Sequence, residues 1–448
     1  MAVERLLRHL LPTTRRRFLT IGSCAGLGLA EFLRLRKRAA AAETGSSGTG
    51  KAESVIFIFL PGGVPQQDSF DPKPDSPVEY RGNLKSIATK IPGCRFTEYF
   101  PKMAETADKM TVIRSLAHDE PDHDRGKFYF YSGNRPSPAV QYPSMGSVIA
   151  MRQGPKNSLP PYVWYPKDPD QFPLGGFLNS AYNPFSLGSD GDPGNPSFTV
   201  KDLALPKGLA DRRFERRRVM LERINRDFVD RTRSEQFEAV DHFYERAYAM
   251  VTSPESRRAF NLSLESEKLR DRYGRNSAGQ GLLLARRLIE SGVRFVSLNF
   301  PAAMIGSAGA WDLHIDGHQL MRDLAPPIDR AFAMLLNDMD QRGMLDSTLV
   351  VLATEFGRAP KINETAGRDH WSKVFSVIMA GAGIRRGSFY GTSDPTAAEP
   401  SLDKVGIEDL VRTMYHVMGI DADDELMAPG DRPLKLVNGG RVVDDLLA

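Results

Sequence analysis

Five of the eight histidines, His118, His123, His314, His318 and His370, stand beside carboxylates in short segments that follow apolar, β-rich runs. The segments are Gln66-Gln67-Asp68-Ser69-Phe70-Asp71-Pro72-Lys73, Ala117-His118 with Asp122-His123-Asp124-Arg125-Gly126, Trp311-Asp312-Leu313-His314-Ile315-Asp316-Gly317-His318, Thr354-Glu355-Phe356-Gly357-Arg358, and Gly367-Arg368-Asp369-His370-Trp371. Imidazole and carboxylate donors without thiolate suit zinc, manganese or iron. Two such ions a few ångströms apart are the usual apparatus for hydrolysing phosphate and related esters. Arg125 and Arg358 add planar guanidinium groups able to hold an anion by paired hydrogen bonds. Each fragment alone has a plainer reading. Asp312 and His314 make a loop hydrogen bond as readily as a metal pair, Glu355 can pair Arg358 or Arg368, and Asp369 can cap a helix that begins near Trp371. Gly62-Gly63 has neither Walker nor Gly-x-Gly-x-x-Gly spacing. Recurrence of ligand types at several strand ends is what selects metal chemistry.

The elements that must position these residues alternate in type. Ser54 to Leu60, Met110 to Arg114, Val293 to Phe300, Ser347 to Ala353 and Phe375 to Ala380 are short continuous apolar runs, the pattern of strands buried on both faces. Helical periodicity covers Ala278 to Ser291 and Leu320 to Arg342. The alternation predicts an α/β fold with a mostly parallel sheet between helices, and ligands bind at the carboxyl ends of such strands. Residues 207–275, rich in Arg and Glu, read as a helical insertion, with Arg212 to Arg218 as a solvated face. Residues 155–200, dense in Pro, Gly, Asn and Asp, read as a surface excursion.

The first 42 residues carry nine basic side chains against two acidic ones, so a whole-chain charge of +3 becomes about −4 without them. Thr14-Arg15-Arg16-Arg17-Phe18-Leu19-Thr20, the weakly apolar stretch Ile21 to Leu33 and Ala40-Ala41-Ala42 form a twin-arginine export signal with a cleavage site. The apolar stretch is too short and too interrupted for a permanent membrane span. The expectation is a periplasmic or extracellular protein handed to the Tat translocase already folded. The basicity belongs to the signal, which removes the argument for nucleic-acid binding. Cys94 is then the lone cysteine, so no intrachain disulfide forms. A flexible linker spans 43–53, the folded domain 54–425, and a C-terminal tail 426–448.

Together the motifs are specific. Phe59-Leu60-Pro61-Gly62-Gly63 with Gln67-Asp68-Ser69-Phe70-Asp71-Pro72-Lys73-Pro74, Trp311-Asp312-Leu313-His314, Glu355-Phe356-Gly357-Arg358 with Pro360, and Gly367-Arg368-Asp369-His370-Trp371 resemble the bacterial "domain of unknown function 1501" family. Tyr273-Gly274 and Ala285-Arg286-Arg287-Leu288 with Gly292-Val293 belong to the same resemblance, which runs from about residue 51 to 425. That family looks like a branch of the alkaline phosphatase and sulfatase superfamily.

The resemblance implies an alkaline-phosphatase-like sheet with one or two metals. Asp68 matches the first-strand metal aspartate and Asp312 the second-metal aspartate, with His314 or His318 beside it. Glu355 matches a strand-end aspartate and His370 the late metal histidine. Phe356 stands where that strand-end carboxylate is followed by histidine, so one ligand is missing unless His118 or His123 replaces it. Ser132-Gly133-Asn134-Arg135-Pro136 resembles the segment that follows a sulfatase nucleophile. Counting back from it reaches His123, which the resemblance admits as ligand, base or nucleophile, with metal-activated hydroxide as the alternative attacker. Arg125 or Lys73 would bind the anion. The implied activity is metal-dependent hydrolysis of a phosphate or sulfate ester, small or on an envelope glycan, with zinc first and manganese, calcium or iron as other candidates. A non-catalytic binding protein on the same fold is the second reading, and transfer of a phospho-group to an envelope glycan the third.

Overall fold

The computed structural model describes residues 50–188, 190–200, 216, 220, 250, 253–300 and 311–448. The export signal, the linker up to residue 49 and most of the helical insertion, including the basic run 212–218 apart from Arg216, lie outside the described residues.

Eight strands form the central sheet: β1 (Ser54–Phe59), β2 (Met110–Leu116), β3 (Tyr162–Tyr165), β4 (Phe185–Ser186), β5 (Phe295–Asn299), β6 (Thr348–Ala353), β7 (Phe375–Ala380) and β8 (Ser388–Tyr390). Their order is β8-β2-β7-β6-β1-β5-β3-β4. All neighbours are parallel except β7, which runs antiparallel to both β2 and β6. The chain between β6 and β7 holds no crossover helix. It folds back through a small pairing of Gly357–Arg358 with His370–Trp371, and a return without a crossover must be antiparallel. Asp369 therefore precedes a strand rather than the helix the sequence allowed.

The apolar runs are buried on both faces because helices cover both. Ile56 and Ile58 of β1 join one core cluster, Val55, Phe57 and Phe59 the other. On the first side lie α5 (Ser277–Glu290) and α6 (Gly317–Gln341), with the shorter α3 (Pro254–Phe260) and α4 (Glu267–Tyr273) from the end of the insertion. On the second side lie α1 (His123–Ser132), α2 (Met145–Gln153) and α7 (Ile407–Val417). The α6 helix accommodates Pro326 and Pro327 while burying Met321, Leu324, Ile328, Phe332, Leu335 and Met339 on one stripe.

Two regions differ from expectation. The segment 155–200 is not all surface: Tyr162–Tyr165 is a fully buried strand with Val163 in register with Val296 of β5. Its four-residue apolar run is hidden among prolines and glycines that bound it. The segment 426–448 packs into the body, with Leu436, Val437, Val443 and Leu446 in the second core cluster.

The topology delivers the ligand-type residues to one edge. The C-terminal ends of β1, β2, β3, β5 and β6 face the same way, and because β7 is reversed its entry at Phe375, just after His370, lies there too.

The helical layer is locked by Arg286 of α5, fully buried and within 2.9 Å of Glu265, 2.6 Å of Glu290 and 3.1 Å of Asp338. Arg286→Ala would leave these carboxylates without their buried partner. Chemical denaturation is expected to show a loss of about 3–5 kcal/mol; a loss below about 1 kcal/mol would place the lock elsewhere.

Candidate metal centre

Three imidazoles converge on one carboxylate oxygen. Nε2 of His314, His370 and His123 lie 3.0, 3.2 and 3.4 Å from Asp312 Oδ1, and Nε2 of His314 and His370 are 3.0 Å apart. The donor atoms of His123, Asp312 and His370 all lie within 4.8 Å of one another.

The far nitrogen of each ring is fixed. Nδ1 of His370 is 2.8 Å from the carbonyl of Pro121. A carbonyl only accepts, so that nitrogen carries the proton and neutral His370 turns a lone pair toward Asp312. Nδ1 of His123 lies 2.7 Å from Glu355 Oε1, and Nδ1 of His314 lies 3.3 Å from Asp369 Oδ1. An imidazole whose outer nitrogen donates to a carboxylate or carbonyl is the usual setting of a metal-ligating histidine. Zinc–nitrogen bonds of about 2.0–2.1 Å in a tetrahedron put ligand atoms roughly 3.3 Å apart. The 3.2 and 3.4 Å separations from Asp312 match that edge, and with all three donor atoms within 4.8 Å of one another the His123 and His370 rings need only draw together to hold a divalent cation.

Electrostatics favour an ionised Asp312 and a neutral His370, and a protonated His123 while no cation is bound. Burial works to raise the Asp312 pKa, but the bond and charge of Arg358, with His123 and His314 beside it, hold it at about 2. Burial lowers the His370 pKa, and Arg358 and His123 add to that, favouring the neutral ring. For His123, burial pulls down but the bond to Glu355 and the charges of Glu355 and Asp312 prevail, raising it.

The supports explain the motif glycines. Gly62 (φ 119°) donates its N–H to Glu355 at 2.7 Å, and a Cβ there would come within 2.4 Å of the Asp312 nitrogen. Gly63 (φ 85°) lies against the Phe356 ring, where a Cβ would approach to 2.7 Å. The pair permits close approach rather than cradling a phosphate.

Of the residues expected at the site, the structure gathers His123, Asp312, His314 and His370, with Glu355 behind His123. Asp68 and His318 are not in that group. Asp68 makes a buried two-pronged bond to Arg368 (2.9 Å each) with His318 Nε2 at 3.4 Å, so both its oxygens are engaged by a guanidinium. His118 is buried and bonds the Glu355 carbonyl at 2.6 Å, leaving His123 as the histidine that faces Phe356 and His370. The expected anion binders are occupied: Arg125 pairs Glu120 at 2.5 and 2.8 Å, Lys73 pairs Asp71 at 3.1 Å, and Arg358 donates to Gly62, Gly63, Arg368 and Asp312.

A cleft of 540 Å³ opens over His123, Asp312 and Glu355, walled also by Lys127, Trp164, Lys167, Asp168, Asp170 and Asn299. These wall residues were missed in the sequence. Lys127 had a signal, one helical turn after His123 on the same face; Trp164 to Asp170 were hidden by reading 155–200 as surface. Ser132 to Pro136 closes the far end of α1, where Gly133 adopts the left-handed cap and Asn134 holds the Leu436 carbonyl.

The profile of the family described as protein of unknown function (DUF1501) matches residues 52–447. The chain belongs to the DUF1501 family. The match runs through the packed C-terminal segment of the DUF1501 domain as well as its sheet. No curated protein matches the sequence. Among solved structures, the DUF1501 chain is similar to a lipoteichoic acid synthase from Listeria monocytogenes (11% identity, TM-score 0.38, covering 87% of this chain and 76% of that one). It is also similar to the alkaline phosphatase of the Antarctic bacterium TAB5 (13%, 0.35, 82% and 98%) and to a sulfatase from a Pseudoalteromonas species (10%, 0.38, 85% and 70%). At these scores the chemistry of the DUF1501 chain rests on its own side chains.

The role of Asp68 is testable by pH. Burial opposes its ionisation, but Arg368 and His318 hold its pKa at about 2. A depressed carboxylate stabilises fully above its unfolded pKa of about 3.9 and loses that contribution as pH falls through the folded value. Asp68→Asn is expected to destabilise by about 3–5 kcal/mol at neutral pH, with the gap to wild type closing as pH falls from about 4 toward 2. A gap independent of pH contradicts the ion-pair role.

Proposed function

We propose that this protein is an exported hydrolase of phosphate or sulfate esters, small or on an envelope glycan, that depends on a divalent metal. Zinc is the first candidate, and manganese, calcium or iron are the alternatives. The observation that carries the reading is the convergence of imidazole Nε2 atoms on Asp312 with every outer nitrogen already held. The export half rests on the twin-arginine segment; among the described residues no helix is long and apolar enough to cross a membrane.

His123, Asp312 and His370 are the ligands, and Glu355 fixes the His123 ring. A divalent cation held there supplies an acidified water and neutralises charge developing on the ester's oxygens. Lys127 and Lys167, in the wall of the same cleft, take the charge of the ester group in place of Arg125 and Lys73. His314 is the most exposed of the three rings and is held by Asp369. It delivers a proton to the leaving alcohol oxygen as its bond to phosphorus or sulfur breaks and one from water forms. The second reading, a binding protein without turnover, draws on Phe356. Its ring sits 5.0 Å from His123 and 4.8 Å from His370, where a further ligand is expected from the resemblance.

Elemental mass spectrometry on protein without a histidine tag, paired with an ester panel, tests this. Wild type is expected to hold about one equivalent of metal and Asp312→Ala none. His314→Ala keeps the metal and loses about 10²–10⁴-fold in kcat; loss of the metal instead makes His314 a ligand. Glu355→Gln weakens metal affinity about 10–100-fold. Metal bound without hydrolysis of any ester selects the binding-protein reading, and a wild type that takes up no metal on reconstitution overturns both.

A further inference from the structure

Two side chains of the cleft wall each carry a buried polar atom with no partner among the described residues: the indole N–H of Trp164 and the amide Oδ1 of Asn299. Trp164 is 2% exposed, so its N–H has given up water without gaining an acceptor among the described residues, which is unfavourable. The two belong to one surface. Trp164 of β3 is in register with Ser297 of β5, and Asn299, two residues on, projects from the same face of the sheet at the end where ligands bind. Both line the cleft that contains His123 and Asp312.

One atom offers a donor and the other an acceptor. A hydroxyl can serve either, accepting from the indole or donating to the amide oxygen. An aryl or alkyl group satisfies neither, and an ammonium can serve only Asn299. The neighbouring carboxylates point the same way. Asp168 has Oδ1 engaged by Ser186 at 3.0 Å and Asp170 has Oδ1 engaged by the Phe172 N–H at 3.1 Å. Each keeps a second oxygen for a hydroxyl donor, and together with Asp124 they make this wall unfavourable to a second anionic group.

We propose that Trp164 and Asn299 form a hydroxyl-reading subsite for the alcohol half of the ester, so that the preferred substrates are monoesters of neutral polyols rather than of phenols, amino alcohols or polyanions. This rests on the ester-hydrolase reading. It assigns specificity to wall residues outside the expected site set.

The test compares kcat/KM for glycerol 3-phosphate and glucose 6-sulfate with phenyl phosphate, phenyl sulfate and ethanolamine phosphate, in wild type, Trp164→Phe and Asn299→Leu. Melting curves verify that each variant is folded. The wild type is expected to favour the polyol esters, and each variant to lose roughly three- to tenfold of that preference. Preference for phenyl esters or ethanolamine phosphate, or a preference unchanged in both variants, overturns the subsite. Ligand-observed NMR with glycerol and methyl glucoside on the purified protein reads the subsite without turnover. Binding that is weakened in Trp164→Phe, in a protein that hydrolyses nothing, keeps the subsite and removes only the hydrolase reading; absence of binding to wild type there removes the subsite.

Discussion

Nε2 of His314 and His370 stand 3.0 Å apart against a single carboxylate oxygen, so their two lone pairs cannot face each other without a proton or a cation between them. A proton on one ring, or a cation among the donors, satisfies the cluster. Much of the surrounding architecture reads as a means of enforcing it. Pro121 and Glu355 orient the His370 and His123 rings, Arg358 anchors Asp312 from behind, and Gly62 lets the loop after β1 close onto both Glu355 and Asp312. The reversed strand β7 brings the segment carrying His370 to the edge where the parallel strands end.

The same anchoring divides the charged residues into two kinds. Arg358, Arg368 and Asp68 are buried and engaged by protein partners, so they brace the loops that carry the site. Lys127, Lys167, Asp168 and Asp170 stand in the cleft wall, where a ligand meets them. A guanidinium with its donors committed to backbone carbonyls cannot also clamp an anion. Lys127 and Lys167 are therefore the cations that line the cleft, a division that residue type alone does not reveal.

The sheet was legible because strands buried on both faces leave uninterrupted apolar runs, and Phe375 to Ala380 was read with the boundaries it has. The direction of β7 was not legible, since periodicity carries no sign; it follows from the missing crossover helix. Asp312, His314 and His370 stood out through the recurrence of ligand types at strand ends, whereas Asp68 entered as a ligand through the family resemblance, which does not reveal a partner, Arg368, 300 residues away. Trp164 escaped notice for the opposite reason: its strand is four residues long and enclosed by turn formers.

The account's central claim is that the His123, Asp312 and His370 side chains bind one divalent ion through Nε2 and a carboxylate oxygen. X-ray absorption at the metal edge on the reconstituted protein tests it most directly. The account predicts nitrogen and oxygen neighbours at about 2.0–2.2 Å with the multiple scattering of two imidazoles, and loss of one imidazole in His370→Ala. A spectrum with only oxygen neighbours, or one unchanged by that substitution, would contradict it.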